Sequence, residues 1–274
     1  MRFLIFFLLL STELAAQSLS DVLTPYLQEL PTKVQVNIAV ESLKGRNQSF
    51  FHQADERIPA ASVIKLPIMV EAMEWVKNGR LALDSLHLLL ESEKVGGSGI
   101  LHTYPPNSRV TYRELVTLMM THSDNMATNI LIRKLGMDQI NQRIRAMGLS
   151  QSQLNRVMID TAAVKRGIEN YVTTREMNTI LTKIYKKKLV TPSLCEQMID
   201  ILKQNKDTKA IASLLPATTA IAHKTGTLTY VRGDVGIVYA RKPFVLSVFV
   251  RGTTTEEANL IIGRLAEICF KHFN

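Results

Sequence analysis

Ser62-Val63-Ile64-Lys65 stands at the front of an apolar stretch with helical spacing that runs to Met73. Residues three apart share a helix face, so the Lys65 ammonium can reach the Ser62 hydroxyl. A serine is a weak nucleophile at neutral pH and needs a base within hydrogen-bond distance. Lys65 can be that base if burial or a second cation lowers its pKa. The stretch predicts a helix and a candidate nucleophile, but chance alone gives such a match about once in a chain of this length.

Two further short motifs follow along the chain. Ser123-Asp124-Asn125 lies between two predicted helices, where a serine and an asparagine can project into a cleft. Lys224-Thr225-Gly226, followed by Thr227, lies on a predicted strand. Alternation places the first and third residues of that motif on one face of the strand and the second on the other. About sixty residues separate the first two motifs and about a hundred the last two, an order that chance does not readily produce.

Strand patterns occur near both ends of the chain, and helical patterns lie between them. Alternation predicts strands at 34–40, 49–52, 220–225, 235–241 and 244–250. Helical spacing and capping residues predict helices at 19–30, 62–77, 112–121, 124–135, 138–147, 174–187, 192–204 and 256–270. The stretch 150–172 has weak periodicity and is a candidate functional loop. We expect a discontinuous α/β domain, 17–58 and 208–274, with an inserted helical domain, 59–207, and an active site in the cleft between them.

The first sixteen residues have the layout of a secretory signal peptide. Arg2 is followed by an unbroken apolar run to Leu10, and the small residues Ala15 and Ala16 come after it. Cleavage is expected after Ala16, and the run is too short to span a bilayer. No later stretch is apolar enough to span either. We therefore expect an exported, periplasmic protein without a stable membrane anchor.

Charge and cysteine content narrow the possible partners. The net charge of +9 is spread along the chain apart from Lys186-Lys187-Lys188, a run at a predicted helix end, where the helix dipole favours cations. Nucleic-acid binding is therefore not expected. Cys195 and Cys269 are far apart in sequence and neither has metal-ligand spacing, so no metal or other cofactor is expected. A disulfide and two free thiols both remain open, and nothing calls for more than a monomer.

With its three motifs, the chain resembles the class A β-lactamase and penicillin-binding serine hydrolase superfamily, whose signatures are S-x-x-K, S-D-N and K-T-G. It is also similar to that group in Gly96-Gly97-Ser98-Gly99 and in Glu169-Asn170-Tyr171. The resemblance runs over essentially the whole mature chain. It implies an α/β (α+β) fold of the β-lactamase/transpeptidase type, with helices flanking an antiparallel sheet and an inserted all-α domain. It also implies a small β-lactam as substrate.

The resemblance assigns catalytic roles to four residues of the motifs. Ser62 would attack the β-lactam carbonyl and form an acyl-enzyme, and Lys65 would accept or relay its proton. Lys224 would help to keep Lys65 neutral and would attract the substrate carboxylate. Ser123 would pass a proton to the departing ring nitrogen. The backbone N–H groups of Ser62 and Thr227 would form the oxyanion hole.

Substrate-binding roles are implied for neighbouring residues. Asn125 would bond the amide of the substrate side chain. The hydroxyls of Thr225 and Thr227, on either side of Gly226, would bind the substrate carboxylate. Arg232 is a further candidate for the same carboxylate, and a surface turn residue is the alternative interpretation of this arginine.

The residues that would release the acyl-enzyme depart from the family pattern. Class A β-lactamases use a glutamate, followed four residues later by an asparagine, to activate the hydrolytic water. Aligning Leu154-Asn155-Arg156 with the start of that loop puts Met158 at the glutamate position and Ala162 at the asparagine position. Neither a methionine nor an alanine side chain can activate the hydrolytic water. Asp160 is the nearest candidate base and Glu169 a later one, while a loop residue bonded to backbone N–H groups is the alternative for Asp160.

Three functions are compatible with these residues. The first is a serine β-lactamase that confers antibiotic resistance and deacylates through a displaced base. The second is a penicillin-binding type DD-peptidase or other serine acyl hydrolase, and the third a β-lactam-binding sensor domain that is acylated without turnover. Sensors usually carry a membrane span, and no stretch after the signal peptide is apolar enough to span, which disfavours the third function. The form of the second motif favours the first function over the second.

For His122 and His223, which precede two of the motifs, we expect structural roles, since alternation turns His223 away from the cleft.

Overall fold

The computed structural model describes residues 17–274, so the predicted signal peptide at 1–16 lies outside the described residues. The strands are β1 (Gln35–Ser42), β2 (Ser49–His52), β3 (Ile58–Pro59), β4 (Leu86–Leu88), β5 (Arg109–Thr111), β6 (Tyr171–Val172), β7 (Ile221–Leu228), β8 (Val231–Val238) and β9 (Phe244–Arg251). The α-helices are α1 (Leu19–Glu29), α2 (Lys65–Lys77), α3 (Tyr112–Thr121), α4 (Asn125–Leu135), α5 (Met137–Ala146), α6 (Thr161–Lys165), α7 (Thr174–Tyr185), α8 (Pro192–Leu202) and α9 (Thr255–Phe273).

A five-stranded antiparallel sheet joins the two ends of the described chain. Its strand order is β2-β1-β9-β8-β7, and β1 pairs with β9 along its whole length. Strands from 35–52 and from 221–251 therefore belong to one sheet, and the intervening segment is mostly helical. The predicted α/β fold, an antiparallel sheet flanked by helices, is confirmed.

Side-chain alternation along β9 separates two hydrophobic cores. Phe244, Leu246 and Val248 pack with α1 and α9 on one face of the sheet. Val245 and Phe249 pack with the helical part of the chain on the other face. Because helices cover both faces, β8 and β9 are buried along almost their whole length, and apolar side chains occupy both faces of β9.

Helix α2 is enclosed by other helices. It contacts α3, α4 and α5, and every residue from Lys65 to Glu74 is buried. A helix enclosed on all sides must be apolar all round, which explains the long apolar stretch in its sequence. A 3-10 turn at Ala61–Ile64 precedes it, so the helix predicted at 62–77 begins as a 3-10 helix. Ser62 and Lys65 are thereby held at the enclosed end of α2.

One predicted boundary is wrong in a way that affects the site. β8 begins at Val231 rather than at 235, because the β7–β8 turn needs only the two residues after Leu228. Arg232 is therefore a buried strand residue and not a surface turn residue. The weakly periodic stretch 150–172 contains the short helix α6 and the strand β6, which pairs with β3.

The two cysteines lie in separate cores. Cys195 belongs to the core of the helical part and Cys269 to the core beneath α9, and both are buried free thiols. Within residues 17–274, no helix combines the length and the apolar character that crossing a membrane requires. The same residues contain no group of three or more His, Cys, Asp or Glu side chains that could hold a metal ion.

Candidate active site

The first motif places an amine against the candidate nucleophile. Lys65 Nζ lies 3.0 Å from Ser62 Oγ, 2.6 Å from the Ser123 carbonyl oxygen, 3.1 Å from Ser123 Oγ and 3.0 Å from Asn125 Oδ1. An ammonium has three N–H donors and no acceptor, so it cannot satisfy all four oxygens. A neutral amine can donate to the Ser123 carbonyl and to Asn125 while accepting the Ser62 O–H. The arrangement therefore suits proton transfer from Ser62.

Electrostatics favour the neutral form of Lys65. The side chain is fully buried, and this burial, together with the ammonium of Lys224, holds the pKa of Lys65 well below its usual range. The carboxylate of Asp124 acts in the opposite direction but is outweighed. Burial and a like charge are the two effects that depress a lysine pKa. Both effects favour the neutral amine, which is the form of Lys65 that can accept the Ser62 proton.

Asp124 fixes the second motif in place. Its Oδ1 accepts the Ala127 N–H at 2.9 Å and so caps α4, and its Oδ2 accepts the N–H groups of Ile100 and Leu101, both at 2.7 Å. Ser123, just before it, has a positive φ of 54°, a conformation that costs energy for a non-glycine residue. The three hydrogen bonds of Asp124 hold this strained junction, which points Ser123 toward the two lysines.

Lys224 links the third motif to the second. Its Nζ donates to Ser123 Oγ at 3.1 Å and to the Thr225 carbonyl oxygen at 2.7 Å. Burial lowers the pKa of Lys224 to about 7, although the carboxylates of Asp234 and Asp207 act in the opposite direction. Ser123 Oγ lies 3.1 Å from both lysine nitrogens. It is placed to pass a proton between them and a bound molecule.

Gly226 allows β7 to pass beside the nucleophile. A Cβ at this position would lie 3.0 Å from Ala61 Cβ and 3.1 Å from the Ser62 backbone nitrogen, tighter than most real contacts. The 3-10 turn that carries Ser62 therefore packs against the strand at its glycine. Thr227, the next residue of the strand, lines the same cleft as Ser62, and its place in an oxyanion hole stays a prediction.

Arg232 is held by three side chains across the strand from Thr227. Its Nε donates to Asn259 Oδ1 at 2.7 Å, its Nη1 to Thr227 Oγ1 at 2.8 Å and its Nη2 to Asp207 Oδ2 at 2.8 Å. The arginine side chain is 4% exposed and that of Asp207 is 34% exposed. A planar guanidinium with several fixed donors is suited to binding a carboxylate, and here one protein carboxylate already contacts it.

These residues line one cleft of about 560 Å³ beside Ser62. The predicted site residues that line it are Ser62, Ser123, Thr225, Gly226, Thr227 and Arg232. Lys65 and Lys224 are buried behind them, and Asn125 contacts Lys65. Further lining residues, not predicted from the sequence, are Ser98, Thr121, Asn205, Lys206, Asp207, Thr208, Lys209, Thr255, Glu256 and Asn259.

The two histidines next to the motifs differ in their surroundings. His223 is buried, and its Nδ1 lies 2.9 and 3.1 Å from the two carboxylate oxygens of Asp234. Its predicted structural role is confirmed. His122 lines the cleft, with its Nδ1 2.9 Å from Thr121 Oγ1, and its structural role stays a prediction.

The loop after Arg156 is anchored to α4 at Met158. Asn129 Oδ1 accepts the Met158 N–H at 2.8 Å, and Asn129 Nδ2 donates to the Met158 carbonyl at 3.1 Å. Asn129 lies one helical turn beyond Asn125, on the same face of α4. A Cβ on Gly97 would lie 2.7 Å from Asn125 Nδ2 and 3.0 Å from Ile159 Cδ1. Ile159, the residue after Met158, therefore lies close to Asn125, which contacts Lys65, whereas Met158 itself does not line the cleft.

The two carboxylates proposed as bases have structural partners. Asp160 Oδ1 accepts the Ala163 N–H at 2.8 Å and caps α6, and Asp160 does not line the cleft. Glu169 Oε1 pairs with Arg156, at 2.7 Å from Nη2 and 3.0 Å from Nε, and both side chains are buried. The structure gives Asp160 the backbone-bonding role named as its alternative. Its role as a base stays a prediction.

Four residues of the site were missed in the sequence. Asn129 had a signal, because it lies four residues after Asn125 and shares its helix face. Asp234, Asp207 and Asn259 had none: their roles depend on strand register and on contacts between segments distant in sequence. Such contacts follow from the tertiary fold and not from any local pattern.

Comparison with known proteins identifies the family. The sequence model of the beta-lactamase enzyme family matches residues 16–273. Extended-spectrum beta-lactamase PER-1 from Pseudomonas aeruginosa is 24% identical over 240 residues, which cover 79% of this chain and 75% of that protein. Among solved structures, the beta-lactamase from Sphaerobacter thermophilus is 25% identical, with a TM-score of 0.81 over 92% of this chain and 94% of that one.

A second solved structure is similar in fold and bears a different name. PBP-A is 25% identical, with a TM-score of 0.86 over 94% of this chain and 97% of that one, and a mutant of PBP-A has been solved as an acyl-enzyme complex with penicillin G. The match of the family model covers nearly the whole chain. This chain therefore belongs to the beta-lactamase enzyme family and is a serine hydrolase of the class A β-lactamase type.

Proposed function

We propose that this protein hydrolyses β-lactams through an acyl-enzyme on Ser62 and that release of the acyl group is its slow step. The observation that carries the proposal is the 3.0 Å contact between Ser62 Oγ and Lys65 Nζ, an amine whose pKa is depressed by burial and by Lys224. Acylation is well supported by this pair. Rapid deacylation is not supported in the same way, because Met158 offers no base where the family has a glutamate. We further propose export to the periplasm, a monomeric state and a contribution to antibiotic resistance.

A DD-peptidase is the second candidate. This function is favoured by Met158 and by the similarity to PBP-A, which is 25% identical. An enzyme whose natural acyl-enzyme is released without a glutamate at that position would still be acylated by β-lactams. Turnover of a peptide ending in D-alanyl-D-alanine would therefore be faster than turnover of a penicillin.

One experiment separates these functions. The mature protein is mixed with a chromogenic cephalosporin, with a labelled penicillin and with a D-alanyl-D-alanine peptide, and Ser62→Ala is the control. We expect repeated cephalosporin turnover that Ser62→Ala abolishes. One stable equivalent of penicillin label, without cephalosporin turnover but with peptide cleavage, would establish the peptidase instead. Absence of label on Ser62 would reject both functions.

The rate of acylation by a carboxylate-bearing penicillin should depend on the charge of Lys224. Because the pKa of Lys224 is lowered to about 7, its ammonium loses its proton as the pH rises through that value. The second-order acylation constant should then fall by roughly tenfold between pH 6 and 8, the scale of one charge interaction near a protein surface. Stopped-flow measurement across this range tests it.

Lys224→Arg is the matched variant for that pH profile. A guanidinium keeps its charge over the whole range, so the decline between pH 6 and 8 should disappear. An identical decline in Lys224→Arg and in the unmodified protein would show that another group causes it.

Asp160→Asn tests whether Asp160 releases the acyl group. Asparagine caps a helix about as well as aspartate does, so the substitution removes the carboxylate but keeps α6. Since Asp160 caps α6 and does not line the cleft, we expect the acyl-enzyme lifetime to change by less than about threefold. Mass spectrometry of the penicillin adduct over time gives this lifetime. A lifetime lengthened roughly a hundredfold would identify Asp160 as the base.

A further inference from the structure

The subsite expected to receive the substrate carboxylate is occupied by a carboxylate of the protein itself. Asp207 Oδ2 lies 2.8 Å from Arg232 Nη2, and both residues line the cleft with Thr225 and Thr227. Burial raises the pKa of Asp207, but the charge and hydrogen bond of Arg232, the Lys209 N–H and the Thr225 hydroxyl outweigh it and hold that pKa below its usual range. Asp207 thus contacts two of the groups that a substrate carboxylate would use, Arg232 and Thr225.

The backbone around Asp207 is fixed by hydrogen bonds. Asn205 Oδ1 accepts the Asp207 N–H at 2.9 Å, and Asp207 Oδ1 accepts the Lys209 N–H at 3.2 Å. Asn205 Nδ2 in turn donates to the carbonyl oxygens of Met120 and His223, at 3.3 and 3.2 Å. The loop is therefore tied both to the end of α3 and to β7, and it holds the Asp207 side chain in the cleft.

The charge of Arg232 is balanced within the protein. Arg232 is buried and its Nε and Nη1 bond neutral partners, Asn259 and Thr227. Asp207 is the one ionic partner of Arg232 among the residues that the structure describes. An incoming carboxylate must either displace Asp207 from the guanidinium of Arg232 or bind the same guanidinium beside it. In the second case the two carboxylates lie close together and repel each other.

We propose that Asp207 is a specificity-determining residue that competes with the substrate carboxylate for Arg232 and the Thr225 hydroxyl, and so restrains anionic substrates relative to neutral ones. This inference rests on the proposed function, because it concerns the molecules that acylate Ser62. Removing the charge of Asp207 should improve acylation by a carboxylate-bearing β-lactam. It should leave acylation by an uncharged ester of the same compound nearly unchanged.

The test compares benzylpenicillin with its methyl ester. Acylation constants are measured for the unmodified protein, Asp207→Asn and the control Glu256→Gln, which removes one carboxylate from the same cleft. The pH is 6, below the pKa of about 7 of Lys224. We expect the ratio of the acid to the ester to rise about tenfold in Asp207→Asn, the scale of one partly solvated charge interaction, and less than about twofold in Glu256→Gln.

A ratio that falls or stays constant in Asp207→Asn would overturn the proposal, because Asp207 would then orient Arg232 instead of competing with its ligand. A rise of the same size in Asp207→Asn and in Glu256→Gln would also overturn the proposal, because it would show a general effect of removing negative charge from the cleft. If Asp207→Asn does not fold, crystal structures of the unmodified protein acylated by each compound decide. Asp207 should leave Arg232 in the penicillin adduct and keep the contact in the ester adduct, and an intact contact in both would refute the competition.

Failure of the proposed function has a different signature. Neither compound would then label Ser62, yet competition for Arg232 can still be measured by titrating acetate against the Arg232 Nε–Hε NMR signal. Acetate should shift this signal at lower concentration in Asp207→Asn than in Glu256→Gln or the unmodified protein. Equal responses in all three proteins would overturn the proposal independently of any acylation.

Discussion

Replacing Lys65 with alanine is expected to slow acylation of Ser62 by roughly 10²- to 10⁴-fold, the usual contribution of a positioned general base. Lys65 Nζ contacts Ser62 Oγ at 3.0 Å and is fully buried. Without it, the Ser62 proton has no acceptor near enough among the side chains of the site, because Lys224 bonds Ser123 and the Thr225 carbonyl instead. The rate is measured by rapid mixing with a labelled penicillin and mass spectrometry of the adduct.

Lys65→Arg is the variant that isolates proton transfer. Arginine fills the space with a cation and offers hydrogen bonds to the same oxygens, but it does not lose its proton in proteins. If Lys65 acts as the base, this variant should be nearly as slow as Lys65→Ala even where it retains penicillin binding. Acylation by Lys65→Arg within about tenfold of the unmodified rate would instead mean that charge, and not basicity, is what Lys65 supplies. Thermal unfolding of both variants verifies that the buried site is intact.

The catalytic groups could be predicted from the sequence because each is fixed locally. Ser62 and Lys65 are one helical turn apart, Ser123 and Asn125 flank a helix cap, and Lys224 projects from a regular strand. Their mutual contacts then follow from a fold that the motifs themselves imply. The surface-turn interpretation of Arg232 is wrong for a physical reason: polar residues on β8 break its apolar alternation, and the pattern therefore predicts a strand only after them.

The partners of those groups required the tertiary structure. Asp207 belongs to a loop without regular structure, and Asn259 to α9, far from β8 in sequence. The position of Asp160 in the sequence suggests a catalytic base, but in the structure its carboxylate caps a helix. A cap and a catalytic base use the same residue types, and only the direction of the carboxylate separates them.

Met158→Glu is expected to shorten the lifetime of the penicillin acyl-enzyme by roughly a hundredfold or more, as a newly placed general base would. The N–H and the carbonyl of this residue are both held by Asn129, so the substituted side chain should start from a fixed point next to the helix that carries Asn125. The side chains of the neighbouring Ile159 and of Asn125 both lie against Gly97. The observable is faster turnover of penicillin by a protein that otherwise releases its acyl group slowly.

Met158→Gln is the matched control, since glutamine has the shape of glutamate without its basicity. Met158 is 7% exposed and belongs to the helical core, so both substitutions bury a polar group and should lower the free energy of unfolding by about 1–3 kcal/mol. Only the glutamate should accelerate deacylation, and only above the pH at which its partly buried carboxyl ionises. Equal lifetimes in the two variants would show that a carboxylate at this position does not suffice. The asparagine that the family places four residues later, where this chain has Ala162, would then be needed to hold the water as well.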